Sequence, residues 1–148
     1  MYNADTQTKV DDQPVAGIAA GLLEAWNSHD VEQVMSFYDS GYEGIDVGRA
    51  TPEHGPDGKR ETVLVYLRAF PDLHFDVEEL IVQGNVVVAC WTAHGTHRGS
   101  FMHIPATGRP VLVRGTSRLT IQNGKILSGV YVWDVAGLLR HIGLLPDL

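Results

Sequence analysis

Imidazole titrates near neutral pH and can act as acid or base. That makes His97, at the end of an apolar run and close to Gly95 and Gly99, a first candidate for proton transfer. Two readings of it stand, a proton carrier at a pocket rim or a structural histidine. Asp46 is a second candidate, set in the otherwise apolar stretch Gly44-Ile45-Asp46-Val47. Burial disfavours the charged form of a carboxylate, so an enclosed aspartate could serve as a base. The alternative is an exposed aspartate at a strand end. Tyr42 lies four residues before Asp46 and shares its side of a strand, whereas Glu43 has the opposite parity. Trp91 and Trp133 offer flat apolar surface for a polycyclic or aromatic ligand, or simply core packing. His103 is either loop filler or a lid residue that reaches a substrate.

Metal binding finds little support in the spacing. His94 and His97 sit three apart, and such residues on a strand face opposite sides. No His/Cys/carboxylate cluster has ligand spacing along the chain. His94 reads as structural or as part of a dimer surface. There is no glycine-rich phosphate loop followed by a helix and no nucleophile elbow. The single cysteine, Cys90, excludes an internal disulfide, and its run Val86–Trp91 reads as a buried strand with a core thiol.

The elements that must position these residues follow from periodicity. Val15, Ile18, Ala19, Leu22, Leu23 and Trp26 recur at helical spacing from Pro14 to Trp26, with proline in the first turn. Asp30 predicts an N-cap for a second helix through Tyr38, with Gln33 at the capping-box position. Residues 42–47 suit a short strand, 48–58 a Gly/Pro-rich loop, and 60–70 a helix stopped by Pro71. Four strands follow over 73–82, 86–97, 109–121 and 126–133, joined by turns at Gly84-Asn85 and Asn123-Gly124. A last helix is expected over 135–142, with Asp134 as its cap in preference to a catalytic role and Gly143 at its C′ position. The order is helices, then a long antiparallel meander, then a short helix. A curved sheet packed on helices leaves a hollow at its open end, and glycines at 95, 99, 115 and 129 would let the strands bend.

A chain of 148 residues suits one domain, expected over 13–148 after a disordered tail over 1–12. The net charge of −7 argues against a nucleic-acid partner. The absence of an apolar run of about 20 residues argues against a membrane span. No secretory signal is evident, so a cytoplasmic protein is expected.

The order Gly95-Thr96-His97-Arg98-Gly99-Ser100-Phe101, then Ile104-Pro105-Ala106-Thr107-Gly108-Arg109, then Asn123-Gly124-Lys125-Ile126, closing on Gly137-Leu138-Leu139 and Ile142-Gly143, resembles the SnoaL-like polyketide cyclases and ester cyclases. These form a branch of the NTF2-like superfamily, and the resemblance runs from about Ala16 to Pro146. It implies an α+β cone, a curved antiparallel sheet packed against N-terminal helices. It also implies a homodimer or higher oligomer through the outer sheet face, which Val111, Val113, Thr120, Val130 and Val132 would suit if they are not core. The cyclases of this family close rings by aldol chemistry without metal or cofactor, using an aspartate on the last strand and a histidine on the preceding one. Those positions fall on Tyr131 and Ser117. A phenol is a poor base but a fair donor to a developing oxyanion. Ser117 and Tyr131 share one face if the hairpin is a three-residue loop with a bulge at Gly124, and a two-residue turn would part them. His103 stands where the F-x-G-I-P segment has glycine.

The resemblance implies a cofactor-independent enzyme of secondary metabolism. It would perform ring closure, isomerisation or epoxide opening on an apolar, polyketide-like molecule. Asp46, His97 and Tyr131 are then the catalytic candidates. Tyr42, Trp91, His103, Ser117 and Trp133 would bind substrate, with no metal and no cofactor. The alternative is a non-catalytic small-molecule binding or dimerising module. Converging ionisable groups in the pocket favour the first, and a purely apolar cavity favours the second.

Overall fold

The computed structural model describes residues 13–148, so the tail expected over 1–12 lies outside the described residues. Helix α1 (Gln13–Ser28) buries Ala19, Leu22, Leu23, Ala25 and Trp26 along one face, as the helical spacing requires. It ends at His29, which takes a positive φ of 59° and reverses the chain. Asp30 then caps α2 (Val31–Met35), accepting from the backbone N–H of Glu32 and Gln33 at 3.0 and 3.3 Å.

The second helix was expected to reach Tyr38, but it stops three residues earlier. Tyr38 instead opens strand β1 (Tyr38–Asp46) and pairs with Ile126. The local apolar pattern suited either state, and the partner strand decides it. The stretch 48–58, expected as loop, holds strand β2 (Glu53–His54), and helix α3 (Gly55–Ala69) begins five residues before the expected Arg60. Pro56 lies in the first turn of α3, where its missing N–H costs nothing. Its Gly/Pro composition was therefore a helix start as much as a loop signal.

Strands β3 (His74–Gln83), β4 (Val86–Thr96), β5 (Pro110–Gln122) and β6 (Lys125–Trp133) each match their expected positions within one residue at either end. They form an antiparallel meander in a sheet of order β2-β1-β6-β5-β4-β3. The sheet is not wholly antiparallel, because β1 runs parallel to β6. Helices α1 and α3 pack on its concave side, α1 against β3 and β4, α3 against β1 and β2. The result is the expected α+β cone. Val111 and Val113 point to the inside of this cone; Val132, half exposed, lies on the outer face.

The β5–β6 hairpin resolves the register in an unforeseen way. Its turn has two residues, Asn123 and Gly124, with φ of 51° and 74°, a type I′ geometry. Such a turn alone would place Ser117 opposite Val130. Between Thr120 and Ile121 the register shifts by one, with Leu127 the extra residue on β6. Ser117 therefore pairs directly with Tyr131, on one face. The bulge exists, but it sits in the strand and not in the turn.

Helix α4 (Val135–His141) is capped by Asp134, whose Oδ1 accepts from Gly137 N–H at 2.8 Å. At its other end Gly143 has φ of 86°, Gly143 N–H donates to Arg140 and Leu144 N–H donates to Leu139. These two bonds make a Schellman motif. Asp134→Ala should lower unfolding stability in urea by about 0.5–2 kcal/mol, with ligand binding in the cone unchanged.

Candidate active site

A largely apolar cavity of about 90 Å³ lies between the concave sheet face and helices α1 and α3. Leu22, Leu23 and Trp26 of α1 wall one side. Trp91 and Ala93 of β4, Val111, Val113 and Ser117 of β5, and Tyr131 and Trp133 of β6 wall the other. Lys59, Thr62 and Tyr66 reach in from α3, and Asp46 from the end of β1. Of the residues expected from sequence, Asp46, Trp91, Ser117, Tyr131 and Trp133 meet on this wall.

Asp46 is 5% exposed and held by three donors. Gly48 N–H and Trp133 Nε1–H donate to Oδ1 at 2.8 and 3.0 Å, and the Tyr66 hydroxyl donates to Oδ2 at 2.7 Å. A side chain at Gly48 would collide with the Trp133 indole, so glycine there permits this packing. Burial, then the adjacent Asp46 carboxylate, pushes the Tyr66 phenol well above its ordinary value. Tyr66 therefore stays a donor and orients the carboxylate. Nothing in the sequence marked Tyr66 beyond its place in a helix.

A second polar node lies beside the cavity. The side chains of Lys59 and Glu53 are 3% and 1% exposed, with Nζ to Oε2 at 3.4 Å. That is ion-pair distance without hydrogen-bond alignment, and Oε2 has no hydrogen-bond partner among the described residues. Lys59 Nζ also lies 3.7 Å from the Tyr131 ring centroid, a cation–π contact. Tyr42 donates to Glu53 Oε1 at 2.6 Å and its oxygen lies 3.0 Å from that of Tyr131. With the Tyr42 proton on Glu53, Tyr131 donates to Tyr42. Gly44 and Gly129 are register partners, and a side chain on either would overlap the Tyr42 or Tyr131 hydroxyl. Their use here is space for this chain of bonds, more than strand bending.

This corrects two expectations. Tyr42 stands behind Tyr131 and off the cavity wall, because its hydroxyl is turned to Glu53. Tyr131 lines the cavity, but its proton is committed to Tyr42. Burial is the largest cause raising the phenols of both above the ordinary value, so neither is a base. Glu53 escaped the sequence reading because it fell in the stretch read as loop, and Lys59 because it stood just ahead of the expected helix start at Arg60. The available signal was Pro56 starting a helix that turns Lys59 inward.

His97 and His103 also lie away from the wall. His97 is fully buried against Phe70, with ring centroids 5.7 Å apart. Its Nδ1 accepts from Thr107 N–H at 3.3 Å and lies 3.0 Å from Thr107 Oγ1. His97 thus pins the 97–109 loop, helped by its backbone bonds to Gly108 and Arg109. Its Nε2 has no partner among the described residues. His103 is exposed, at φ of 61°, beside Met102 at 51°. These two residues form the tight turn between Phe101 and Ile104, whose backbones exchange hydrogen bonds at 3.0 and 2.8 Å. That turn requires positive φ, which explains glycine in the F-x-G-I-P pattern. The turn seats Phe101 against Tyr66, Phe70 and Trp133, all cavity-lining rings.

Trp91 Nε1–H donates to Ser117 Oγ at 3.0 Å. The Ser117 proton has no acceptor among the described residues and is available to a bound oxygen. The wall thus offers a carboxylate, an ammonium and a free hydroxyl around apolar space.

Lys59→Met should destabilise the fold by about 3–5 kcal/mol, because it strands a buried carboxylate. Adding Glu53→Gln should restore much of that loss in a urea double-mutant cycle. A left-handed residue other than glycine costs about 1–2 kcal/mol, and glycine returns about 0.5–1 through the unfolded state. His103→Gly should therefore raise stability by roughly 0.5–1 kcal/mol, read as a higher Tm.

Comparisons with known proteins place this geometry. Comparison with curated proteins returned no match. Among solved structures, TsrD from Streptomyces laurentii is 26% identical, with a TM-score of 0.82 over 91% of this chain and 98% of that one. A SnoaL-like polyketide cyclase from Agrobacterium tumefaciens is 23% identical, with a TM-score of 0.73 over 87% and 98%. A protein of ketosteroid isomerase-like fold from Catenulispora acidiphila, solved with trimethylamine, is 14% identical, with a TM-score of 0.75 over 86% and 93%. The last two likenesses speak to fold alone. Residues 17–142 match the family described as SnoaL-like polyketide cyclase, so the chain belongs to that family.

Proposed function

We propose that this protein is a cofactor-independent acid–base enzyme acting on an apolar, polyketide-like carbonyl compound, with Asp46 as the base. One observation carries the reading. Asp46 and Lys59, of opposite charge, face the same mainly apolar cavity. Asp46 takes a proton from a carbon next to a carbonyl. The electron pair moves onto the carbonyl oxygen, where the Ser117 hydroxyl and the Lys59 ammonium supply donors. The enolate then attacks a second carbonyl for ring closure, and the alkoxide so formed takes the proton from Asp46; for isomerisation Asp46 returns the proton to another carbon. Tyr66, Trp133 and Gly48 hold the carboxylate in place, a positioning role.

A second reading, a non-catalytic binding module, is favoured by Tyr131 and Ser117 standing at the positions of the family's aspartate and histidine. Assembly into a homo-oligomer through the outer sheet face is supported by Ile45, Leu112 and Val132, each more than half exposed there.

The test is α-proton exchange in D2O, followed by NMR on a panel of 1,3-diketones and aromatic β-keto esters. Wild type should accelerate exchange in at least one binder. Asp46→Asn keeps one acceptor oxygen and should lower exchange about 10²–10⁴-fold without loss of binding. Undiminished exchange in Asp46→Asn removes this residue from the mechanism. Binding with no exchange by wild type leaves the binding-module reading.

A further inference from the structure

The outer face of the sheet carries a cluster that the cavity does not use. His74 and His94 are direct register partners on β3 and β4, and Asp76 follows His74 by two residues on the same face. Their imidazole centroids are 5.2 Å apart. Asp76 Oδ1 lies 3.3 Å from His74 Nε2, and Asp76 Oδ2 lies 3.6 Å from His94 Nε2. All three donor atoms fall within 4.8 Å of one another, and all three side chains are open to solvent.

We propose that His74, Asp76 and His94 form a divalent transition-metal site, with zinc as the representative ion, that clips edge strand β3 to β4. The separations are what distinguish a metal site from plain histidine–carboxylate pairing. A charge-assisted hydrogen bond draws nitrogen and oxygen to about 2.7–2.9 Å. The exposed pair His54 and Glu43 does so, at 2.7 Å. The Asp76 contacts stay longer and unbonded. Ligands about 2.0–2.1 Å from a tetrahedral centre lie about 3.3–3.4 Å from each other, matching the 3.3 Å from His74 Nε2 to Asp76 Oδ1, with a ring nitrogen of His94 inside the same 4.8 Å cluster. Two imidazoles and one carboxylate suit zinc and its neighbours, with water in the fourth position. Glu78 and Glu79, next along β3, add negative charge close by. Chain spacing hid the cluster, because His74 and His94 are neighbours only through strand pairing. The site stands on the opposite face from the Trp91 and Ala93 side chains, so the metal stabilises the sheet edge and takes no part in cavity chemistry.

The test titrates the metal-free full chain with zinc by calorimetry, and with cobalt by its visible absorption. Saturation at one equivalent, a tetrahedral cobalt spectrum and a higher Tm with zinc are expected. His74→Ala and His94→Ala should each weaken binding by at least about tenfold and leave the metal-free Tm unchanged. His54→Ala should bind as wild type does. Absence of saturable binding, or wild-type affinity in the His74 and His94 variants, overturns the site. Zinc uptake seen only together with dimer formation by size-exclusion chromatography overturns the single-chain clip and assigns the ligands to two copies.

Discussion

A buried ion pair organises this molecule. Taking Lys59 and Glu53 out of water costs several kcal/mol per ion, repaid only if each charge finds close partners. The repayment draws on four elements. Glu53 comes from β2 and Lys59 from α3, while Tyr42 of β1 donates to the carboxylate and the Tyr131 ring of β6 lies under the ammonium. The paired glycines 44 and 129 clear the room for it. The short strand β2 and the early start of α3 serve to place these two charges. The parallel pairing of β1 with β6 brings the hydroxyls of Tyr42 and Tyr131 to 3.0 Å of each other.

The cavity takes part of its charge from that arrangement. Here it carries charge from two sources, the Lys59 node and the Asp46 carboxylate held by Gly48, Tyr66 and Trp133. In a low-dielectric hollow, charges fixed in advance act more strongly than in water and need no reorganisation when substrate charge develops. The 97–109 loop contributes packing: His97 ties it down, and Phe101 closes against the aromatic wall.

The parts of the site legible in sequence were those that depend on strand parity or residue type. Alternation put Asp46 on one side of its strand with Tyr42, and apolar surface made Trp91 and Trp133 candidates; all of Asp46, Trp91 and Trp133 line the cavity. His97 shows the limit of that reading. It stood as a proton carrier at a pocket rim or as a structural histidine; it is buried, but at the strand end its ring turns into the loop and away from the hollow. Ser117 and Tyr131 depended on a bulge whose position no local signal revealed. Glu53 was invisible because a charged residue in the Gly/Pro-rich stretch 48–58 reads as solvated loop, and Lys59 because the helix that turns it inward starts earlier than its expected Arg60.

By itself, the sequence determined the family, the helical faces, the four meander strands within one residue at either end, the Asp134 cap and the Gly143 stop. The family rests on motifs spread from Gly95 to Gly143; each of the others rests on information within a few neighbouring residues: a period, a cap or a turn. Tertiary structure alone decided the end of α2, the parallel β1–β6 contact, the register that joins Ser117 to Tyr131, and the partners of every buried charge. Those outcomes depend on how separate elements meet in space, most of them between residues distant along the chain. The free energy that selects them, pairing of strands and neutralisation of buried charge, exists only once the chain has folded back on itself.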